Sequence, residues 1–505
     1  MNEVVMHLKS SENQARGLAE YGYQFMGVPL DMIAPEVWER LELFYLDSVA
    51  CGVSAISRQA NAPTVLRKEA LTNYKNENGC YCYGSKIKVS PEKAILANSS
   101  AVREWDSNGT VFGYNPARGD TKGEFGHNDF YPVAVAAAQL KGLDGAQVLK
   151  GMLLSDEIRG RLSEVYSLKD KKIDHVVHGA IASAVTYGVM VGASIDEIES
   201  ALGLLCAHYV PFRAIRAGHQ LSDSKGASAA FSTEVAILSV HRAQMGFVGP
   251  KDIFRNPEAL WCLYEKPKPG CSPFELHLTL SGKNFSVMGM HFKLGLYEHQ
   301  SAGAIEGLMD LLRKHPAVYK DIEGVESIEV TIYQPAYGII CDPEKWHPDT
   351  RQSADHSMPY ILATLLRKAK QKQSAEWGDL ILLPNDYNDA AIKDELTQKL
   401  MTKISIKKGG PDYDSKYPEG IPTSIKIKHK KEGEFSGSLV MYPFGHAKNT
   451  VADLKKLLDN KFNCLLSSAV ADLKELKGKC LNISRKNKQD VIAMTDFTII
   501  EGDKI

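Results

Sequence analysis

No stretch of this chain stays apolar for the roughly 18 residues that a membrane-spanning helix needs, so nothing in it is expected to cross a membrane. An excess of charge of one sign is missing too. With 60 Lys and Arg against 61 Asp and Glu the formal net charge is -1, so no global field recruits nucleic acid or an anionic membrane. An anionic small molecule would have to be held by a local cluster. The nine cysteines are scattered, and the close pair Cys80 and Cys82 lacks the two-residue spacer of zinc and redox motifs. Histidines never recur at His-x-x-x-His spacing, and no iron–sulfur pattern is present. No metal is therefore expected, and the thiols are expected to be free, mostly buried and in a reducing interior. Gly109, Gly113 and Gly119 are too loosely spaced, with no strand before them, to cradle a dinucleotide. The absence of Gly-x-Ser-x-Gly argues against a hydrolase elbow. The first eleven residues have no long apolar core and mix acids with bases, so neither a secretory signal nor a clear transit peptide is read there. The cytoplasm is the expected compartment, with the mitochondrial matrix as the alternative in a eukaryote.

What is present is an ordinary globular composition, 44% hydrophobic and 24% charged over 505 residues, enough for two or three domains. Residues 15–60 read as two helices separated at Gly27 to Leu30, followed by a polar helix near Asn61–Tyr74 and a turn-rich stretch from Asn76 to Lys88. Ser90 and Pro91 form a strong helix start, with the serine as cap. Asp144 caps a further helix, and Ser194 with Glu197 forms a capping box. Small residues fill the helices 179–192 and 226–242, so both can pack closely. With no strand alternation through about residue 270, the first part reads as all-α. Alternation appears at Phe274–Leu280, Ile328–Tyr333, Ser424–His429 and Gly437–Met441, with helices at Ser301–Leu312 and His356–Lys368 between them. The tail, 450–476, returns to helix. The expected fold is mostly α: a large helical domain made of residues 1–288 and 443–505, with an inserted α+β lid of residues 289–442.

The chemistry-bearing residues gather around Arg103 to Thr110 and Gly126 to Asp129. Asp106 and Thr110 are four apart, so they project to one side if the last helical turn persists. Val111–Gly126 reads as a surface loop that returns the chain to His127. The same spacing also fits a capped helix, a loop and a second helix with incidental polar residues. Elsewhere the candidates are His175, Lys225, Lys293, His299, His356 and Tyr360. His356 and Tyr360 lie at i, i+4, which is equally the pattern of a core aromatic stripe beside a capping histidine. Lone lysines are ordinarily surface charges. Lys293, set between Met290-His-Phe and Leu-Gly-Leu-Tyr, is expected instead to be buried and to meet an anion. The stretch Arg213–Lys225 reads as basic and irregular.

In order along the chain stand Trp105-Asp106-x-x-x-Thr110, Gly126-His127, Glu157-Ile-Arg-Gly-Arg-Leu162, Asp174-His175, Lys225, Phe292-Lys293, Asp355-His356-x-x-x-Tyr360 and Tyr442-Pro-Phe-Gly-His446. This ordered set resembles the MmgE/PrpD family, although each piece alone is weak. The resemblance implies a helical domain with an α+β lid, a homodimer, no metal or organic cofactor, and a pocket for a small tricarboxylate. It implies Asp106, His127, His175 and Tyr360 as catalytic residues and Thr110, Lys225, Lys293 and His299 as substrate-binding residues. Three departures lie near that pocket: the long stretch Val111–Gly126, Asn128 after His127, and Leu294-Gly-Leu-Tyr after Lys293.

The implied reaction is dehydration of 2-methylcitrate, or a close tricarboxylate, to an aconitate-type product. A carboxylate-bearing substrate with a poor leaving group needs a charge clamp, a base and an acid. Lys225 and Lys293 suit the clamp, Thr110 and Tyr360 the hydrogen bonds, and His127 and His175 the proton transfers. Asp106 is either a base or the group that orients a histidine. Either lysine changed to methionine is expected to weaken binding without unfolding the chain. The alternatives are decarboxylation of cis-aconitate, isomerisation or epimerisation of a hydroxy acid, and, from another class, a non-catalytic helical binding protein.

Overall fold

Capping chemistry sets where the helices begin. In the computed structural model, which describes residues 3–216 and 220–505, Asn13 accepts from the Arg16 N–H ahead of α1 (Gln14–Gly27), and Pro35 opens α2 (Pro35–Ser57) at the first helical position. Next come α3 (Asn61–Asn73) and α4 (Pro91–Arg103). Ser90 does not cap α4 with its side chain, contrary to expectation. Its backbone carbonyl takes the Lys93 and Ala94 N–H groups instead, and Pro91 supplies the start. α5 (Tyr131–Lys141) stops at Gly142, whose φ of 61° suits glycine. Asp144 caps α6 (Gly145–Val165) as expected. α7 (Val176–Val191) precedes α8 (Ile195–His208), which carries the complete Ser194/Glu197 capping box, and α9 (Asp223–Gln244) follows.

The small-residue helices lie at the centre. α7 packs on α5, α6, α8 and α9, and α4 packs on α2, α3 and α9. The approach is close enough that a Cβ at Gly179 would sit 1.9 Å from the Phe130 ring. The tail helices Leu454–Leu466 and Leu473–Cys480 return to α2, and Lys488–Ala493 returns to α5 and α6. The nine cysteines are free and mostly buried. Among the described residues no helix is long and apolar enough to cross a membrane.

The molecule is mostly helical with small sheets, but the first 270 residues are not purely so. Strands β1 (Val4–Leu8), β2 (Lys75–Tyr81), β3 (Lys88–Val89), β4 (Thr110–Phe112), β5 (Phe125–His127) and β6 (Leu276–Ser281) form three antiparallel pairs, β1 with β6, β2 with β3 and β4 with β5. Strands β3, β4 and β5, of two or three residues each, carry too little alternation to be read in advance. The alternating stretch at Phe274–Leu280 thus pairs with the amino terminus. The larger sheet contains β7 (Val325–Ile332), β8 (Ile404–Lys408), β9 (Thr423–His429) and β10 (Gly433–Ser436) in the order β10-β9-β7-β8, with β7 and β8 parallel. The strand expected at Gly437–Met441 is displaced to β10, and Val440 keeps a single bridge to Thr423. Ile328, Val330, Ile425 and Ile427 bury one face of this sheet. Helices Ala302–Lys314 and Met358–Lys372 belong to the same region.

Candidate active site

The end of α4 creates the site. After Arg103 the chain leaves the helix, and Asp106 adopts a left-handed φ of 47°, a conformation that aspartate tolerates better than most residues. Asp106 and Thr110 therefore do not share a helical turn, because Thr110 begins β4. Gly109 has no room for a side chain, since a Cβ there would lie 2.5 Å from the Phe44 ring. Asn108 donates to Asn128 at 3.0 Å and to Asp129 at 2.6 Å, which draws the His127 end of β5 toward Asp106. Val111 to Gly126 is accordingly not simply a surface loop: its two ends pair as β4 and β5, and Val111, Phe112 and Glu124 are buried.

Lys293 arrives through the backbone. Thr110 and His291 exchange hydrogen bonds in both directions, at 3.0 and 2.7 Å, which places Phe292 on Phe44 at 3.8 Å between ring centres. Ser107 Oγ donates to the Gly295 carbonyl at 2.7 Å. Behind these segments Lys461, from the tail and 0% exposed, donates to Asp47 Oδ1 at 2.6 Å, to the Ser107 carbonyl at 2.6 Å and to the Lys293 carbonyl at 2.7 Å. One ammonium thus holds the two backbone strands that carry Asp106 and Lys293.

Asp106 is the common anion of the site. Arg103 and Lys293 both donate to its Oδ1, His356 Nε2 lies 3.1 Å from Oδ2, and Lys225 Nζ lies 3.7 Å from Oδ2. Burial would raise its carboxyl, but Arg103, Lys293, Lys225 and His356 together hold it well below the usual range. Asp355 takes Lys225 at 2.7 Å and His356 Nδ1 at 2.6 Å, so His356 bridges the two carboxylates. Ligand atoms of Asp106, Asp355 and His356 lie within 4.8 Å of one another. Arg103, Lys225 and Lys293 supply the positive charge there.

A cavity opens beside this cluster, lined by Asp106, Thr110, His127, His175, Lys293 and His299 among others. The structure thus brings together six of the residues expected from the sequence. Thr110 Oγ1 donates to the Gly126 carbonyl at 3.1 Å. The His127 and His175 rings lie 5.3 Å apart. Neither nitrogen of His175 or His299 has a hydrogen-bond partner among the described residues, nor does His127 Nδ1. Burial pushes all three imidazoles well below their ordinary value. Arg103 and Lys293 reinforce this at His127, Arg216 and Arg213 at His175 against the opposing pull of Asp174, and Lys293 at His299.

Two expected residues stand elsewhere. Tyr360 does not line the cavity: its hydroxyl donates to the Asp386 carbonyl at 2.5 Å and its ring packs against Tyr387. The helix starts at Met358, so His356 precedes it and the expected i, i+4 pairing is lost. Lys225 is buried beneath the cluster, paired with Asp355. Both lysines spend their ammonium groups on Asp106 and Asp355, which also hold other partners, Arg103 and His356 at Asp106 and Arg351 and His356 at Asp355.

Sequence reasoning missed Arg103, Arg213, Arg216, Glu298 and Gln300, and it left His356 undecided; all six line the cavity. Arg103 stands three residues before Asp106 and Glu298 one before His299, so adjacency was the available signal. Part of the basic stretch Arg213–Lys225, residues 217–219, lies outside the described residues. Burial and the nearby Asp106 push the Glu298 carboxyl from 4.5 up to about 7. A raised folded-state value means that wild-type stability is full below 4.5 and is lost as pH rises to about 7. Glu298→Gln, a neutral isostere, should therefore gain on the wild type across that window, by up to about 3 kcal/mol at about 1.4 kcal/mol per pH unit, and no further above it. Urea unfolding at pH 5 and 7.5 checks this, and an equal difference at both pH values rejects it.

Comparison with known proteins agrees with the geometry. Residues 18–269 match the MmgE/PrpD N-terminal domain and residues 297–479 the MmgE/PrpD C-terminal domain. The chain is 23% identical over 466 residues to the 2-methylcitrate dehydratase of Salmonella typhi, covering 90% of this chain and 92% of that one. It is 23% identical over 472 residues to the mitochondrial 2-methylcitrate dehydratase of Yarrowia lipolytica, covering 90% and 84%. A cis-aconitate decarboxylase-like protein of Aspergillus oryzae is 24% identical over 342 residues, covering 63% and 66%. With both domains matched in order across most of its length, and the matched segments meeting around one cavity, this chain belongs to the MmgE/PrpD family.

Proposed function

We propose that this protein is a hydro-lyase that removes water from 2-methylcitrate, or a closely related tricarboxylate, to leave an aconitate-type double bond. The observation that carries this reading is a single cavity where the His127, His175 and His299 imidazoles, largely free of hydrogen bonds, stand with the cations Arg103 and Lys293. Dehydration of such a substrate breaks a C–H bond alpha to a carboxylate and a C–O bond on the neighbouring carbon. It needs a base for the proton, an acid for the departing hydroxide, and positive charge for the carboxylates. His127 and His175, kept neutral by burial, have lone pairs available at neutral pH. Glu298, at about 7, carries a proton near neutrality and suits the leaving hydroxyl. Arg103 and Lys293 give the cavity its positive charge, and Asp106 fixes where that charge sits. Lys293, Glu298, His299, Gln300, Ile339 and His356 come from the expected lid segment and the rest of the lining from the helical part, which supports residues 289–442 acting as a cover. The two relatives named 2-methylcitrate dehydratase support the reaction class.

Proton NMR of the purified protein with 2-methylcitrate, citrate and cis-aconitate in separate tubes tests the reading. The expected result is conversion of 2-methylcitrate to 2-methyl-cis-aconitate. Decarboxylation of cis-aconitate, with loss of carbon dioxide and no dehydration, would replace the proposed activity, and no turnover of any of the three would withdraw it.

A further inference from the structure

Two cavities meet at Arg213. Arg213, Arg216 and Ile339 line the cavity that holds Asp106, and the same three side chains line a wider vestibule beside it. Lys122, Lys169, Lys172 and Lys345 also stand around the vestibule, against Asp170, Asp342 and Glu344, so positive side chains outnumber negative ones along its wall. A polyanion approaching through this mouth is drawn inward, with Arg213 at the threshold.

The basic side chains at the threshold are not equivalent. Arg216 is engaged, with Nε donating to Asp174 Oδ2 at 2.5 Å and Nη2 to Oδ1 at 3.3 Å. Deeper in, Arg103 and Lys293 are both held by Asp106. Arg213 forms no ion pair among the described residues, and its buried Nη1 has no hydrogen-bond partner there. Its position is nonetheless fixed, because its N–H donates to the Lys172 carbonyl at 2.9 Å and Phe212 bridges to Ile173. A part-buried guanidinium with no carboxylate in contact is unfavourable by itself. Its planar fork matches a carboxylate at two points, which an ammonium does not.

We propose that Arg213 is a substrate-binding residue, taking in a two-point ion pair the substrate carboxylate that lies nearest the mouth of the cavity. Arg213 in this role presupposes the tricarboxylate substrate inferred above. It sets specificity by giving a third carboxylate a partner that a dicarboxylate leaves unused.

The test is calorimetric binding of propane-1,2,3-tricarboxylate and of glutarate to wild-type protein, Arg213→Gln and Arg213→Lys, with thermal melting to establish that each is folded. Wild type should prefer the tricarboxylate at least about tenfold, and Arg213→Gln should weaken its binding about 10- to 100-fold and bring the ratio close to one. Arg213→Lys should recover part of the preference, as a point charge does. A folded Arg213→Gln that keeps the wild-type ratio overturns the role of Arg213 and leaves the dehydratase reading standing. A wild type with no preference for three carboxylates overturns the tricarboxylate reading, and the assignment of Arg213 with it.

Discussion

Asp106→Asn should lower kcat by about 10²- to 10³-fold, the scale of losing one preorganised electrostatic partner, while KM for a tricarboxylate stays level or falls. The split in direction follows from the charges. Asp106 is 1% exposed and is shared by Arg103, Lys293, Lys225 and His356. An amide keeps its shape and removes the anion, so these cations repel one another and move from the positions that catalysis needs. The cavity becomes more positive as well, and a substrate with several carboxylates is held at least as tightly in the ground state. Steady-state kinetics with a direct binding measurement would show both effects. A raised KM with unchanged kcat would mean that Asp106 merely binds substrate.

Lys461→Met should lower the free energy of unfolding by about 3–5 kcal/mol, the range for breaking a fully buried ion pair from one side. Methionine has nearly the volume of the lysine stem, so the loss is electrostatic. Asp47, itself 0% exposed, keeps a carboxylate without its counter-ion. The Ser107 and Lys293 carbonyls lose a donor. Removing the stranded charge as well, in Lys461→Met with Asp47→Leu, should recover much of the stability, since replacing a buried pair by apolar residues is often neutral. Urea denaturation of the single and double variants decides the matter. Equal losses in Lys461→Met and the double variant would show that the ion pair is not what stabilises this contact. The double variant should still be slow, because Lys461 also registers the segments that carry Asp106 and Lys293.

The helices were legible because their signals are local. Asp144 and Ser194 cap helices whose hydrogen bonds close within four residues, so neighbouring residues suffice to mark the ends. Ser90 shows the limit of such reading, since its backbone rather than its hydroxyl serves α4. Strands β4 and β5, three residues each, are held by partners and not by pattern. The expected site residues came from ordered resemblance, and six of them line one cavity. Tyr360 stands apart from them, because its hydroxyl donates to the Asp386 carbonyl, in a segment 26 residues away.

By itself the sequence determined the class of the molecule: helical, near neutral in charge, without membrane helices or metal-ligand spacing, and carrying Asp106, His127, His175 and Lys293 as an ordered set. Only the tertiary structure decided how those residues are charged and what each is free to do. Protonation depends on burial and on neighbours distant in sequence, such as Lys293 beside Asp106 and Lys225 beside Asp355. Whether an arginine is available to a ligand depends on whether another segment already supplies its anion, as Asp174 does for Arg216 and nothing described does for Arg213. Such pairings are set by folding in three dimensions, where loop closure brings together groups that no window of sequence contains.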